Sequence, residues 1–546
     1  MPTGPRSLIA SSLRGIQRAG DELYAARVCA RAGLIRADSP RQLAQIALAL
    51  RNWGAFGAAV AIAAIRHGDR VGVVDELGSL TFAEMDRRAN ALANAWHARG
   101  LRAGDGVAVL ARNHRGLLDA AFACSKLGAR LVLLNTDFAG PQIRDVAARE
   151  GTQLLVHDDE YGPFVSEVRA PHGRWRAWTD EAGEDTLEAL IASGDPSPPP
   201  KPAQAGSVVI LTSGTTGTPK GAQREQPSSL MPFAGLLDSV PFRSREATVI
   251  CAPLFHALGF AHAVLAVGLG STQILRRRFD PEAALDDVER HRASALIVVP
   301  IMLRRIVDVA EAAPGARSLS SLRIGFVAGS QLGGALATRA QDALGEVVYN
   351  LYGSTEVSYA TIASPADLRA SPDSVGPIVF GSRVRILDEA GRPLPQGRTG
   401  RVFVGSSMPF EGYTGGGSKE TVDGLMSSGD VGHFDAVGRL FIDGRDDDMI
   451  VSGGENVFPA EIEELLASHD AVDEAAVVGV DDEQFGQRLR AYVVCRPGAS
   501  LSDDAVRAYV RENLARYKVP RDVVFIDELP RNPTGKVLKR ELAGLG

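Results

Sequence analysis

Two short segments hold residue types that handle phosphate chemistry. Thr212, Ser213, Gly214, Thr215, Thr216 and Gly217 run on from the apolar stretch Ser207-Val-Val-Ile-Leu211 and lead to Lys220-Gly221. Small residues let the backbone approach phosphate oxygens closely, the hydroxyls add donors, and Lys220 adds charge. The segment is not a Walker loop, which needs Gly-Lys followed by Ser or Thr; the plain alternative is a Ser/Thr/Gly surface turn. The second segment, Pro530-Arg-Asn-Pro-Thr-Gly-Lys536-Val-Leu-Lys539, lies far away in sequence and offers Lys536 on a glycine turn. Alone it would read as a solvated tail. Together the two predict an ATP-consuming enzyme with a mobile part.

Other candidates lie between them. Tyr352-Gly353-Ser354-Thr355-Glu356 supplies an aromatic face suited to adenine, a hydroxyl able to reach an α-phosphate oxygen, and a carboxylate that is a hard oxygen ligand for Mg2+. Asp430, in Ser427-Ser-Gly-Asp-Val-Gly432, and Arg445 after Gly444 suit charge-assisted hydrogen bonds to a polar ligand. Gly329 lies in Val327-Ala-Gly-Ser-Gln331, and His256 closes Pro253-Leu-Phe-His256. Asp446-Asp447-Asp448 reads as a solvated loop. Arg276-Arg277-Arg278 reads as a solvated face or a contact for an anionic ligand.

In this order the motifs resemble those of the adenylate-forming superfamily, which includes acyl- and aryl-CoA synthetases, luciferases and peptide-synthetase adenylation domains. The resemblance spans roughly residues 69–540 and is most like a bacterial fatty acyl-CoA synthetase. It implies ATP, Mg2+ and CoA as cofactor and co-substrates. It assigns triphosphate binding to Thr212–Gly217 and Lys220, adenine stacking to Tyr352 on Gly353, and phosphate and Mg2+ contacts to Thr355 and Glu356. It gives the ribose to Asp430 with Arg445 beside it, the acyl and adenine walls to Gly329, whose usual neighbouring proline is missing, and the acyl gate to His256, whose bland alternative is a satisfied core histidine. Asp447 becomes the hinge, and Gly453 and Gly454 leave room for a pantetheine arm. The implied reaction forms acyl-AMP and pyrophosphate, after which the CoA thiol displaces AMP. Charge building on the oxygens around the α-phosphorus makes Lys536 the electrostatic catalyst of the first step. Small residues at Ala257, Gly259, Ala261, Ala263 and Gly268 permit a long chain, and together with the amphipathic N-terminus they favour a medium- or long-chain fatty acid, with aryl-CoA ligase as the alternative. Because the sequence stops ten residues after Lys536, a carrier-linked peptide-synthetase unit is disfavoured. Outside the superfamily, a phosphotransferase would release ADP, and a lipid-binding scaffold would form no adenylate.

At 546 residues the chain is long enough for several domains. A net charge of −7 argues against a nucleic-acid partner. Four scattered cysteines without a CxxC motif indicate neither a zinc site nor a disulfide framework, which fits a cytoplasmic setting. Residues 1–68 form an amphipathic helical extension. Its 7–65 stretch mixes apolar positions with many arginines, suiting either packing on the enzyme or peripheral contact with the inner face of a membrane. The apolar stretch Trp53 to Ile65 is too short to span a bilayer. From Asp69 onward strands and helices alternate, starting at Arg70-Val-Gly-Val-Val and a capping box of Thr81 with Glu84. The expected class is α/β: a large domain over 69–445 with stacked α/β sheets and a small barrel-like subdomain, then a small mobile α+β domain over 446–546. Pro196-Ser-Pro-Pro-Pro-Lys-Pro202 reads as a linker before the phosphate-loop strand.

Overall fold

The computed structural model describes residues 5–181, 183–212, 220–223, 229–408, 410, 412–414, 416, 418–446, 450–452, 455–482, 486–514, 516–532 and 535–544. Short runs rich in Val, Ile and Leu, buried on both faces, make the parallel sheets expected of an α/β chain. An eight-stranded sheet runs, edge to edge, through Ser358–Ala363, Val348–Ser354, Ile324–Val327, Ala295–Val298, Ala247–Ile250, Thr272–Leu275, Val71–Asp75 and Gly78–Thr81. Its six inner strands are parallel and both edge strands antiparallel. A second sheet of seven strands has five parallel ones, including Gly106–Leu110, Arg130–Leu133 and Ser207–Thr212.

The main core lies between these sheets. The helix Arg115–Lys126 is buried along its whole length there, and α3, which we use for Phe82–Ala98, packs beside it. The capping box that opens α3 forms as expected: Thr81 Oγ1 accepts from the Glu84 N–H at 3.2 Å and Glu84 Oε2 accepts from the Thr81 N–H at 2.7 Å.

The proline-rich segment joins strands of the same sheet, so it connects parts of one unit rather than separating two. It is tied to α3, where Asn94 Nδ2 donates to the carbonyls of Asp195 and Ser197, both at 2.9 Å.

Two N-terminal helices, α1 (Pro5–Ala32) and α2 (Pro40–His67), lean on this body. Ala25, Val28, Cys29 and Ala32 of α1 and Val60 and Ala63 of α2 belong to the main core. Arg66 pairs with Asp38 at 2.6 Å, and the Tyr24 hydroxyl donates to Asp238 at 3.0 Å. Packing is therefore the right reading for this part of the extension. The helix α2 reaches 28 residues, longer than its apolar stretch suggested, and by length and composition it is the one described helix able to cross a membrane; 44% of its most apolar window is buried inside the protein. It kinks at Gly54, whose φ of 68° lies in the left-handed region.

A third, antiparallel sheet of five strands (Arg383–Leu387, Gly400–Gly405, Thr421–Val422, Leu425–Phe434 and Leu440–Arg445) forms the small barrel-like subdomain. The C-terminal unit has its own five-stranded sheet, led by Val472–Asp482 and Gly486–Cys495, with the helices Pro459–Ala467 and Asp503–Asn513 over it.

Candidate active site

Parallel strands present their C-terminal ends along one edge, where ligands of open α/β sheets bind. In the eight-stranded sheet that edge carries Pro253–His256 after Ile250, Gly329 after Val327, and Tyr352–Glu356 at the end of Val348–Ser354. The phosphate-loop candidate closes a hairpin: Thr212 pairs with Lys220 across the strands Ser207–Thr212 and Lys220–Gln223. Ser213, Gly214, Thr215, Thr216 and Gly217 lie outside the described residues, as do the side chains of Thr212 and Lys220. The short strand Gly412–Tyr413 pairs with Ala222 and Gln223 next to this hairpin.

Tyr413 links the hairpin to Glu356. Its hydroxyl donates to Glu356 Oε1 at 2.7 Å, and Ser354 Oγ donates to Oε2 at 2.9 Å. Burial pushes the Glu356 carboxyl up, but the Lys419 ammonium and the two hydroxyl donors outweigh it and hold the group below its ordinary value. Glu356 is thus a buried, ionised carboxylate. Each oxygen keeps lone-pair capacity beyond its one hydroxyl donor, which fits a Mg2+ ligand. Among the described residues no group of three or more His, Cys, Asp or Glu gathers to form a metal cage. Mg2+ is usually bound by one or two carboxylates with substrate phosphates, so a single Glu suffices.

Gly353 is demanded by sterics. The ladder between Val348–Ser354 and Ser358–Ala363 slips at Tyr352/Gly353, and a Cβ at residue 353 would fall on the Ser358 carbonyl, 2.9 Å from its carbon and from Tyr359 Cα. The slip aims Tyr352 across to the barrel-like sheet, where its hydroxyl donates to Asp430 Oδ2 at 2.5 Å. Burial and the Asp430 charge push the Tyr352 phenol well above its usual range, so it stays a donor. Asp430 pairs in register with Arg445, whose Nη1 lies 3.2 Å from Asp430 Oδ1. Ser428 Oγ accepts from the Asp430 N–H at 3.1 Å and fixes that turn.

The Lys536 turn reaches the same edge. It is a tight hairpin in which the Lys536 N–H donates to Asn532 Oδ1 at 2.9 Å and the Asn532 N–H donates to the Lys536 carbonyl at 2.9 Å. Gly535 (φ 77°) is buried on the start of the helix Pro300–Ala312: a Cβ there would fall on Ile301, 3.9 Å from Val299 Cγ2. Val299 also touches the Gly329 position, 3.4 Å from where a Cβ would stand. Lys536 itself is exposed beside these contacts.

His256 is half-buried at the N-cap of the helix Ala257–Gly268, against Phe255 with ring centroids 4.5 Å apart. Burial lowers it to about 4, so the imidazole is neutral near pH 7, and its buried Nε2 has no hydrogen-bond partner among the described residues. It is not the satisfied core histidine of the bland reading. Arg276 and Arg277 are occupied, with Asp287 at 2.5 Å and Glu160 at 2.7 Å, while Arg278 lies exposed 3.6 Å from Glu160. Asp447, Gly453 and Gly454 lie outside the described residues. Sequence reasoning missed Tyr413 and Lys419, which set the state of Glu356; Tyr413 stands 57 residues away on another sheet, and no spacing rule links the two. It also missed Asn113, which is buried and ties the two large sheets together by accepting from the Leu254 N–H at 2.7 Å and donating to the Ala252 carbonyl at 3.0 Å, just before His256.

The sequence model for AMP-binding enzymes matches residues 60–414, and that for the C-terminal domain of AMP-binding enzymes matches 461–536. The chain belongs to the AMP-binding enzyme family. Similar members include a feruloyl-CoA synthase of Amycolatopsis sp, 35% identical over 88% of this chain and 95% of that protein. The fatty acid–[acyl-carrier-protein] ligase ScoC of Streptomyces coeruleorubidus is 34% identical over 86% and 92%. Among solved structures, ATP-bound MatB from Rhodopseudomonas palustris superposes with a TM-score of 0.79 at 27% identity, over 89% of this chain and 98% of that one. This AMP-binding enzyme is an ATP-dependent acid:CoA ligase that uses ATP, Mg2+ and CoA. Residues 5–59, α1 and the first part of α2, precede the family match.

Proposed function

We propose that this ligase activates an apolar, ring-bearing carboxylic acid, and that Lys536 serves only the first of its two half-reactions. The observation that carries the second statement is the seating of Gly535 on Val299 and Ile301 beside Gly329, which brings the Lys536 turn to the strand edge holding Tyr352 and Glu356.

In the first half-reaction the acid's carboxylate oxygen attacks the α-phosphorus and pyrophosphate leaves. Thr212, Ser213, Gly214, Thr215, Thr216, Gly217 and Lys220 cradle the triphosphate, with Thr355 at the α-phosphate. Tyr352 stacks the adenine on the Gly353 bulge, and Asp430 with Arg445 holds the ribose. Glu356 would hold Mg2+, which when bound neutralises phosphate charge. The Lys536 ammonium meets the negative charge that builds in the transition state. In the second half-reaction the CoA sulfur attacks the acyl carbon and AMP leaves. For that step residues 446–546 pivot at Asp447, taking Lys536 away and bringing in Gly453 and Gly454.

The acid sits against His256 and Gly329. A neutral imidazole beside Phe255 suits an apolar tail without a second charge. Three of the small residues read as room for a long chain are used otherwise: Gly259 packs on the carbonyls of Ala252 and Pro253, Ala263 is in the core, and Gly268 faces Leu34. The feruloyl-CoA synthase among its relatives supports a ring-bearing acid. Acid-dependent ATP–pyrophosphate exchange over a panel of aryl and fatty acids tests this. Hydroxycinnamate-type acids should lead, and a clear preference for medium- or long-chain fatty acids overturns the class.

The first part of α2 is proposed as a face for an anionic lipid surface. Leu43 and Leu50, seven residues apart and so on one side of the helix, are exposed there between Arg41 and Arg51, and α2 contains no Asp or Glu.

A further inference from the structure

We propose that Arg304 latches the C-terminal unit in the orientation that presents Lys536, by gripping a β-bulge at Asp473. Arg304 lies three residues after Ile301 on the helix Pro300–Ala312, so the two share a face. Ile301 receives Gly535, and Arg304 reaches the C-terminal sheet. At the start of the strand Val472–Asp482 the register slips: Val472 pairs with Cys495 and Glu474 with Val494, leaving Asp473 as the extra residue. A bulge frees one residue from the ladder and re-aims it. The freed Asp473 carbonyl accepts from Arg304 Nη1 at 2.6 Å, and the Asp473 carboxylate lies 3.3 Å from the same nitrogen.

The next residue carries the contact onward. Glu474 Oε1 lies 4.0 Å from Arg304 and accepts from Arg531 Nη2 at 2.7 Å; Arg531 Nη1 donates to the Gly535 carbonyl. A chain of charges thus runs from the large unit, through the bulge, to the residue before Lys536. Glu474 is mostly buried and sits between two guanidinium groups, which weakens screening by water and salt. Arg304 is a positioning residue: it touches neither nucleotide nor acid, and it acts by holding Lys536 where adenylation needs it. This inference rests on the proposal that Lys536 serves the first half-reaction alone.

The test compares Arg304→Met, Arg304→Lys and Lys536→Ala with the wild-type enzyme in both half-reactions: acid-dependent pyrophosphate formation, and thioester formation from supplied acyl-adenylate and CoA. Arg304→Met should lower the adenylation kcat about 2- to 30-fold, leave the KM for ATP near its original value, and spare thioester formation. Arg304→Lys should fall between. Exchanging the charges, with Arg304→Asp and Asp473→Arg together, should restore part of the adenylation rate that Arg304→Asp alone loses, a readout that general destabilisation would not give. If Lys536→Ala separates the half-reactions while Arg304→Met affects both equally or neither, the latch is wrong. If Lys536→Ala itself fails to separate them, the underlying reading falls instead. Should Arg304→Met not fold, Arg304→Lys decides, since it keeps a cationic donor for the Asp473 carbonyl: a loss confined to adenylation supports the latch, and equal effects on both half-reactions or none mean no latch.

Discussion

Replacing Gly353 with alanine should cost both stability and adenylation. A Cβ there would stand 2.9 Å from two backbone atoms, Ser358 C and Tyr359 Cα, and closer still to the Ser358 carbonyl oxygen. Carbon atoms pack best at about 3.5–4.0 Å, so the strands must part by roughly half an ångström or more. They are poorly placed to do so. Ser358 already has a φ of 63°, and Tyr359 is anchored through its hydroxyl to the Pro232 carbonyl and by pairing with Gly353. Overpacking of this kind costs about 1–3 kcal/mol, which in a unit of this size is a fall in melting temperature of roughly 1–4 °C. The strain falls between Tyr352 and Ser354, so Asp430 and Glu356 both lose alignment, and a displacement near 1 Å can cost about 10²-fold in rate. Gly329→Ala is the control. Its nearest neighbour would be Val299 Cγ1 at 3.4 Å, so there is space, and only the φ of 103° resists, at about 1–2 kcal/mol. Thermal unfolding by circular dichroism, with acid-dependent pyrophosphate exchange, reads both variants. A Gly353→Ala enzyme with unchanged melting and exchange would refute the steric reasoning.

Glu356→Gln keeps the shape but removes the charge and turns one of the two acceptor oxygens into an NH2 donor, so the Mg2+ concentration needed for half-maximal exchange should rise about 10- to 100-fold; an unchanged requirement would remove Glu356 as the ligand. Glu464 sits where the helix Pro459–Ala467 meets Gln331, which donates to it, and burial, helped by Asp373, Glu463 and Glu461, pushes its carboxyl up to about 7. A raised carboxyl costs nothing while protonated and opposes docking once ionised, so docking weakens as pH rises from the ordinary value near 4.5 through about 7. Glu464→Gln should therefore gain adenylation relative to wild type above about pH 7 and not at about pH 5, and equal gains at both would refute it. Sedimentation with phosphatidylglycerol vesicles should carry the wild-type protein down, phosphatidylcholine vesicles should not, and changing Leu43 and Leu50 together to serine should abolish it; concentration-dependent dimerisation without vesicle binding would make this face a protein contact.

How much of this was legible depends on the range of the physics involved. The strand that leads into the phosphate loop, the Thr81 capping box and the α/β alternation are local, and all appear where the residues placed them. Gly353 was legible as a motif residue but not as a steric necessity, because Ser358 bends back on it only in the folded ladder. Lys419 and Tyr413 were invisible, since their effect on Glu356 depends on bringing the barrel-like subdomain and a short edge strand to the main sheet. The core role of α1 and α2 was hidden for a similar reason: an arginine such as Arg66 looks solvated until Asp38 arrives. The bulge at Asp473 leaves no mark in composition, because Val-Asp-Glu reads as an ordinary strand edge.

The most direct test of the account is a single-turnover comparison of Lys536→Ala with the wild-type enzyme. Adenylation from ATP and acid should fall about 10²- to 10⁴-fold, while thioester formation from supplied acyl-adenylate and CoA should proceed at close to the wild-type rate. Equal loss of both half-reactions, or full retention of adenylation, would contradict a lysine that is brought to the site for one step and removed for the next.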